Sequence, residues 1–223
     1  MDASADFKDL GVQVQSIEAD LATDQGVTQV LDAVGNRPVD VLIANAGHGL
    51  GGAFVEQDPK GSRHTIDTNV TGTLLLIQPV LQDMLKRGEG KILVTGSIAG
   101  YVPGSFNAVY NGTKAFIDNF CAAISDEIKG SNVTLTVLKP GATETEFFRR
   151  ADMLDTKVGQ QTKDDAADVA ETGWKALHDG KRSVVHGLMN KATVLAAGVT
   201  PESVTASRHR SQAEPIGALF RKP

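Results

Sequence analysis

The sequence predicts an α/β protein, a doubly wound parallel sheet covered on both faces by helices. Short apolar runs of strand length alternate with longer helical stretches through most of the 223 residues, the pattern of strands joined by helical crossovers. Two of the runs, Val39–Ala44 (VDVLIA) and Gly90–Thr95 (GKILVT), suit strands buried on two faces. Turn signals also stand where they should: Gly35-Asn36-Arg37-Pro38, Arg87-Gly88-Glu89-Gly90 and Gly130-Ser131-Asn132 each precede a strand.

Element by element, Val12–Ala19 alternates apolar and polar residues (Val12, Val14, Ile17) and is expected as a strand at or near an edge. Val39–Ala44, Gly90–Thr95, 132–138 and 183–186 follow as strands. The helices are expected at Asp24–Val34, 60–86, 110–129 and 164–179. Pro79 inside the second is compatible with a kink or a break. After Gly187 the pattern weakens. Residues 205–223 carry four basic residues, one acidic residue and two prolines without a clear period. A poorly ordered tail is the expectation there, and a clamp on a partner subunit the competing one.

Composition bounds the function. At 41% hydrophobic and 22% charged residues, the chain matches an ordinary globular domain large enough to hold a core without disulfides or a structural metal. The single cysteine, Cys121, allows no internal bridge and points to a reducing cytoplasmic setting. A net charge of −5 argues against a nucleic-acid partner, and no apolar run reaches the length of a membrane span. Residues 1–24 hold six acidic residues and one lysine, the opposite of a signal peptide.

The spacing that carries chemistry is Tyr110-Asn111-Gly112-Thr113-Lys114. Residues four apart share a helix face, and an ammonium beside a phenol favours the phenolate, which would make Tyr110 an acid or base near neutral pH. The pair alone equally fits a surface helix. Context sharpens it: Ser97 follows the apolar strand ending in Val94-Thr95-Gly96, so its hydroxyl stands at a strand's carboxyl end, where open α/β sheets place ligands. Leu42-Ile43-Ala44 opens into Asn45-Ala46-Gly47, whose small residues let a ligand approach the backbone. Asp20-Leu21 and Pro140-Gly141 follow two further strands.

The ordered series Asn45-Ala46-Gly47, Asn69, Ser97, Tyr110 with Lys114, and Pro140-Gly141-Ala142-Thr143-Glu144-Thr145 resembles the motifs of the short-chain dehydrogenases/reductases, single-domain branch. The resemblance covers about Val12 to Gly187. It implies a Rossmann-like domain over residues 1–190 with a C-terminal tail over 191–223, and an NAD- or NADP-dependent oxidoreductase that interconverts an alcohol and a carbonyl. On it, Tyr110 exchanges a proton with the substrate oxygen, Ser97 hydrogen-bonds that oxygen, and Lys114 lowers the tyrosine pKa and binds the nicotinamide ribose. Asn69 holds a relay water. Asp20 meets the adenine with Leu21 beside it, and Asn45-Ala46-Gly47 pass the adenosine ribose. Pro140, Gly141, Thr143 and Thr145 flank and fix the nicotinamide. No metal is implied. The alternative is a catalytically silent relative that oligomerises or binds a ligand.

One family feature is missing from the sequence. A first strand followed by a Thr-Gly-x-x-x-Gly-x-Gly turn normally brings a helix N-terminus to the cofactor pyrophosphate. The only early glycines are Gly11 and Gly26, and Gly47, Gly49, Gly51 and Gly52 sit on the wrong element. The fold is therefore expected to be N-terminally truncated by one strand-helix-strand unit, with residues 1–7 reading as the helix after the missing second strand. A late start at Met1 and a natural short form both account for this; the filled downstream site favours the late start. The expectation is that this polypeptide binds nicotinamide cofactor poorly or not at all.

Of the remaining residues, His48 is expected as a solvated loop histidine, His64 as half-exposed, and Cys121 as a buried inert thiol. Tyr101, Val102 and Phe106 could line the substrate side. Residues 144–163 should form a lid, with Phe147, Phe148, Met153 and Leu154 apolar and Arg149-Arg150 offering anion contacts, or else a mobile surface loop. Phe116, Phe120 and Ile124, with Ile77 and Leu81, form apolar helix faces that would pair in a homodimer or homotetramer.

Overall fold

A computed structural model describes residues 11–215. Its sheet has four parallel strands in the order β1 (Val41–Ala44), β2 (Gly90–Thr95), β3 (Val133–Lys139) and β4 (Ser183–Val185). The registers Val41↔Lys91, Leu135↔Ile92 and Val137↔Ser183 run all the carboxyl ends to one edge.

Consecutive side chains on a strand face opposite ways, and both faces are covered. Ile92, Val94, Leu135 and Val137 pack with Ile77, Met84, Ile117 and Cys121 from α3 (Gly72–Arg87) and α4 (Ala108–Glu127). Leu93 and Leu138 meet Val169 and Leu177 from α7 (Ala166–His178) on the other face. This is the doubly wound arrangement.

The first helix, α1 (Asp24–Val34), begins where Thr23 accepts from the Gly26 amide at 3.0 Å and ends at Gly35, whose φ of 59° suits a residue without Cβ. Residues 12–19, expected as a strand, form none. They have no regular secondary structure, with Val12 and Val14 exposed, and are tied down by side chains such as Gln29 Nε2 to the Glu18 carbonyl at 3.0 Å. A strand needs a ladder, and among the described residues β1 pairs only with β2, leaving this segment none to join. The reading of residues 1–7 as a helix lies outside the described residues.

The long second helix is present but divided differently. After α2 (Pro59–Ile66), one π turn spans Asp67–Thr71 before α3 continues through Pro79. The irregularity thus falls at Asn69 rather than at the proline, and it turns Asn69 inward to 2% exposure. Ile77 is core, not surface, so the apolar outer faces retain Leu75, Leu85 and Phe116, with Phe116 stacked on Phe120 at 5.9 Å. Cys121 is buried, and burial pushes its thiol up to about 12, which keeps it protonated and inert.

The segment after β3 is folded as well. Its short helices α5 (Phe147–Arg150) and α6 (Lys157–Gln160) bury Phe148, Ala151 and Met153 in a second core with Ala53 and Phe106. Beyond β4 follow α8 (Leu188–Ala197) and α9 (Glu202–Ala213), so residues 205–213 are helical in place of the expected loose tail, and residues 216–223 of that tail lie outside the described residues. Ala213 enters the second core, Thr205 is buried, and His209 Nδ1 lies 2.9 Å from the Ser105 carbonyl. Three polar or small side chains at helical spacing dock α9 without an apolar stripe, which is why hydrophobic periodicity does not reveal it. No helix among the described residues is long and apolar enough to cross a membrane.

Candidate active site

The carboxyl ends of β1, β2 and β3 open into a cleft of about 1640 Å³. Asn45, Gly47, Ser97, Tyr110, Lys114, Pro140, Gly141, Thr143 and Thr145 all line it. Asn69 stands behind this wall. Ala46 lies between two lining residues, while Asp20 and Leu21 fall outside the cleft. Asp20 turns its carboxylate back to accept from the Ala22 amide at 2.9 Å, and the Leu21 carbonyl lies against Gly72, where a Cβ would come within 2.0 Å of it.

On α4, Tyr110 and Lys114 share one face. The Lys114 ammonium donates to the Thr95 carbonyl at 2.7 Å and stands 5.8 Å from the Tyr110 ring centre. Burial draws Lys114 down from 10.5 to about 8, with Asp118 opposing. Burial also pushes Tyr110 up to about 12, with the Ser97 side chain beside it pulling the other way. The expected lowering of the tyrosine by its lysine is therefore absent in this state: the ammonium is directed at the β2 carbonyl, and desolvation of the phenol dominates. Ser97 also caps the 3-10 turn Ile98–Tyr101 by accepting from the Ala99 amide at 3.1 Å.

The Asn69 amide is fully committed. It accepts from the His48 amide at 2.7 Å and donates to the His48 carbonyl and to Thr113 Oγ1, both at 2.9 Å. It thereby staples the loop after β1 to α4. His48 itself is half-buried in the cleft wall, edge-on to His64 at 5.2 Å, and burial with His64 and Arg150 holds it below its usual range. It is thus a wall residue rather than a solvated one.

The third side of the cleft follows β3. Gly141 leaves room there for the Asn190 side chain of α8: a Cβ would sit 2.4 Å from its Oδ1. Glu144 and Asp164 lock the segment through backbone bonds of 2.9 and 2.8 Å, and Thr145 Oγ1 accepts from the Phe147 amide at 3.2 Å. Phe147 then lies 5.1 Å from the Tyr110 ring, closing the site from above. Arg150 faces the cleft, whereas Arg149 is paired with Glu146 and Leu154 is exposed.

Sequence reading missed two groups here. One is the α9 wall, including Arg208 and His209. The other is the buried pair Asp118–Lys139, whose nitrogen and oxygen lie 3.3 Å apart. The available signal was spacing, since Asp118 follows Lys114 by four residues and shares its helix face.

Comparison with known proteins agrees with the architecture. The model of the short chain dehydrogenases matches residues 2–155, and the chain belongs to this oxidoreductase family. It is 31% identical over 137 residues to 17-beta-hydroxysteroid dehydrogenase type 1 of Homo sapiens, covering 61% of this chain and 42% of that protein. It is 32% identical over 142 residues to serine 3-dehydrogenase of Rhizobium radiobacter, covering 62% and 57%. The chain spans about half the length of the curated relatives it matches. A solved short-chain dehydrogenase from Sphingobium yanoikuyae in complex with NADPH superposes with a TM-score of 0.76 at 23% identity, covering 92% of this chain and 84% of that one. That likeness concerns the Rossmann-like fold.

Proposed function

We propose that the chain is an NAD(P)-dependent oxidoreductase that interconverts an alcohol and a carbonyl, with Ser97, Tyr110 and Lys114 as its catalytic residues and Asn69 as their support. The observation that carries the reading is convergence: three side chains, one just past β2 and two on α4, reach one cleft, with the Lys114 ammonium 5.8 Å from the Tyr110 ring centre.

The cleft fits half of a dinucleotide. Gly47 leaves open backbone beside the Lys114 ammonium, 3.5 Å from where a Cβ would stand, and Asn45 accepts from Thr95 Oγ1 at 2.8 Å at the same strand end. With Pro140, Gly141, Thr143 and Thr145 opposite, these residues would hold the nicotinamide and its ribose. The described residues show a cradle for this half only: Asp20 lies outside the cleft, with its Oδ1 accepting from the Ala22 amide. When bound, the nicotinamide supplies or accepts the hydride.

The chain's own residues handle the proton. Tyr110, protonated at neutral pH, donates to the developing alkoxide of a carbonyl substrate. Ser97 donates a second hydrogen bond to that oxygen. Lys114 then recharges and steadies the tyrosinate, and its own position near 8 lets it pass a proton at neutral pH. Asn69 keeps the His48 loop and α4 in register. Phe147 excludes water from the Tyr110 ring. A homodimer or homotetramer through the outer faces of α3 and α4 belongs to the same proposal, with Phe116, Leu75 and Leu85 exposed there.

Titrating the protein with NADPH and NADH by nucleotide fluorescence tests the half-cradle. Saturation that is lost in Lys114→Met supports it, whereas saturation unchanged in Lys114→Met contradicts it. Complete absence of binding favours the second reading, a catalytically silent relative that oligomerises or binds another ligand.

A further inference from the structure

Tyr101 closes the 3-10 turn that begins at Ser97, is 40% exposed, and lines the same cleft as Ser97 and Tyr110. Its hydroxyl oxygen lies 2.6 Å from Lys139 Nζ, and the ammonium stands 4.7 Å from its ring centre. Lys139 is the last residue of β3, with its side chain only 10% exposed. Behind it, at 3.3 Å, is the Asp118 carboxylate, 12% exposed. Gly96 makes room for that carboxylate: a Cβ there would come within 2.5 Å of Asp118 Oδ1. Three elements that frame the cleft thus converge on one buried ion pair whose outer end is a tyrosine hydroxyl.

The direction of these bonds is fixed by chemistry. An ammonium has three donors and no acceptor, so the Tyr101 oxygen accepts from Lys139. The tyrosine's own hydrogen has no acceptor among the described residues, and the open side of the group is the cleft. Accepting from a cation also makes the phenol a better donor.

We infer that Tyr101 is a substrate-orienting hydrogen-bond donor, and that the substrate carries a second acceptor oxygen beside the carbon that is oxidised or reduced. Lys139 and Asp118 are positioning residues: they aim and polarise the Tyr101 hydroxyl. The inference rests on the oxidoreductase reading only in placing substrate in this cleft.

Tyr101 and Tyr110 are the chain's two tyrosines, so a protein carrying 13Cζ-tyrosine shows one resonance for each, assigned with Tyr101→Phe and Tyr110→Phe. Two probes are titrated into the protein without nucleotide: ethyl acetoacetate, a ketone with a second acceptor, and 2-heptanone, which lacks it. Ethyl acetoacetate is expected to move the Tyr101 resonance. Tyr101→Phe should change the ratio of the two dissociation constants roughly fivefold against ethyl acetoacetate, the effect of losing one hydrogen bond. The paired change Asp118→Asn with Lys139→Met should cause a similar loss, while Lys139→Arg should restore the ratio.

An unchanged ratio in Tyr101→Phe, or failure of both probes to bind at tens of millimolar, overturns the inference. Because nothing in this assay depends on turnover, a Tyr101-dependent preference without any ketone reduction leaves the inference standing and counts against the proposed activity. Reduction of both ketones at ratios indifferent to Tyr101 does the reverse.

Discussion

Replacing Lys114 by methionine should make the fold more stable at neutral pH. The ammonium is 5% exposed and drawn from 10.5 down to about 8. At about 1.4 kcal/mol per pH unit, holding it charged costs about 3 kcal/mol relative to the unfolded chain. Methionine removes that cost but leaves the Thr95 carbonyl without its 2.7 Å partner, a loss of about 1 kcal/mol. The net expectation is a gain of about 2 kcal/mol at pH 7. Between pH 8 and 10.5 the unfolded chain keeps a proton on this lysine that the folded chain has released, so the stability of the unsubstituted protein rises across that window. The methionine variant lacks this rise, and its advantage should vanish near pH 10. Groups that do not feel the Lys114 charge, Tyr110 among them, cancel in the difference, while Asp118 and Cys121 lose its attraction and move further up in the variant. Urea unfolding of both proteins at pH 7 and pH 10 measures it. A variant less stable at pH 7, or an advantage that does not change with pH, refutes the reasoning.

Asn69→Ala should destabilise by roughly 3 kcal/mol in urea unfolding, since three hydrogen bonds of a buried amide are lost, and amide exchange should speed up first around His48. Gly96→Ala should lower stability by roughly 2 kcal/mol or more, because the new methyl meets Asp118 at 2.5 Å and Val137 at 2.8 Å. His209 is held below 6.5 by burial, so its share of stability is present above that pH and fades as pH falls; hydrogen exchange in α9 should quicken on acidification, and less so in His209→Gln. Cys121 should resist thiol reagents at neutral pH until the protein is unfolded.

What could be read in advance followed local rules. β2 and β3 announce themselves by apolar runs between turn residues, and Ser97, Tyr110 and Lys114 by spacing along single elements. Residues 12–19 carry an equally clear alternation yet form no strand, because strand formation depends on a neighbour that the local sequence does not specify. The π turn at Asn69 was hidden for a related reason: Pro79 is the conspicuous helix breaker, but the requirement that an amide reach both His48 and Thr113 decides where the helix loosens. Docking of α9 rests on His209, Thr205 and Ala213, a pattern without hydrophobic period. The upward shift of Tyr110 and the Asp118–Lys139 pair depend on burial, a tertiary quantity that spacing cannot supply.

The most direct measurement of the central claim is the rate of nicotinamide oxidation with a ketone substrate such as ethyl acetoacetate at millimolar NADPH, in the unsubstituted protein and in Tyr110→Phe. The account predicts turnover in the first and a loss of at least about a hundredfold in the second, the size of a missing general acid. Equal rates in the two proteins, or no turnover in either, would contradict it.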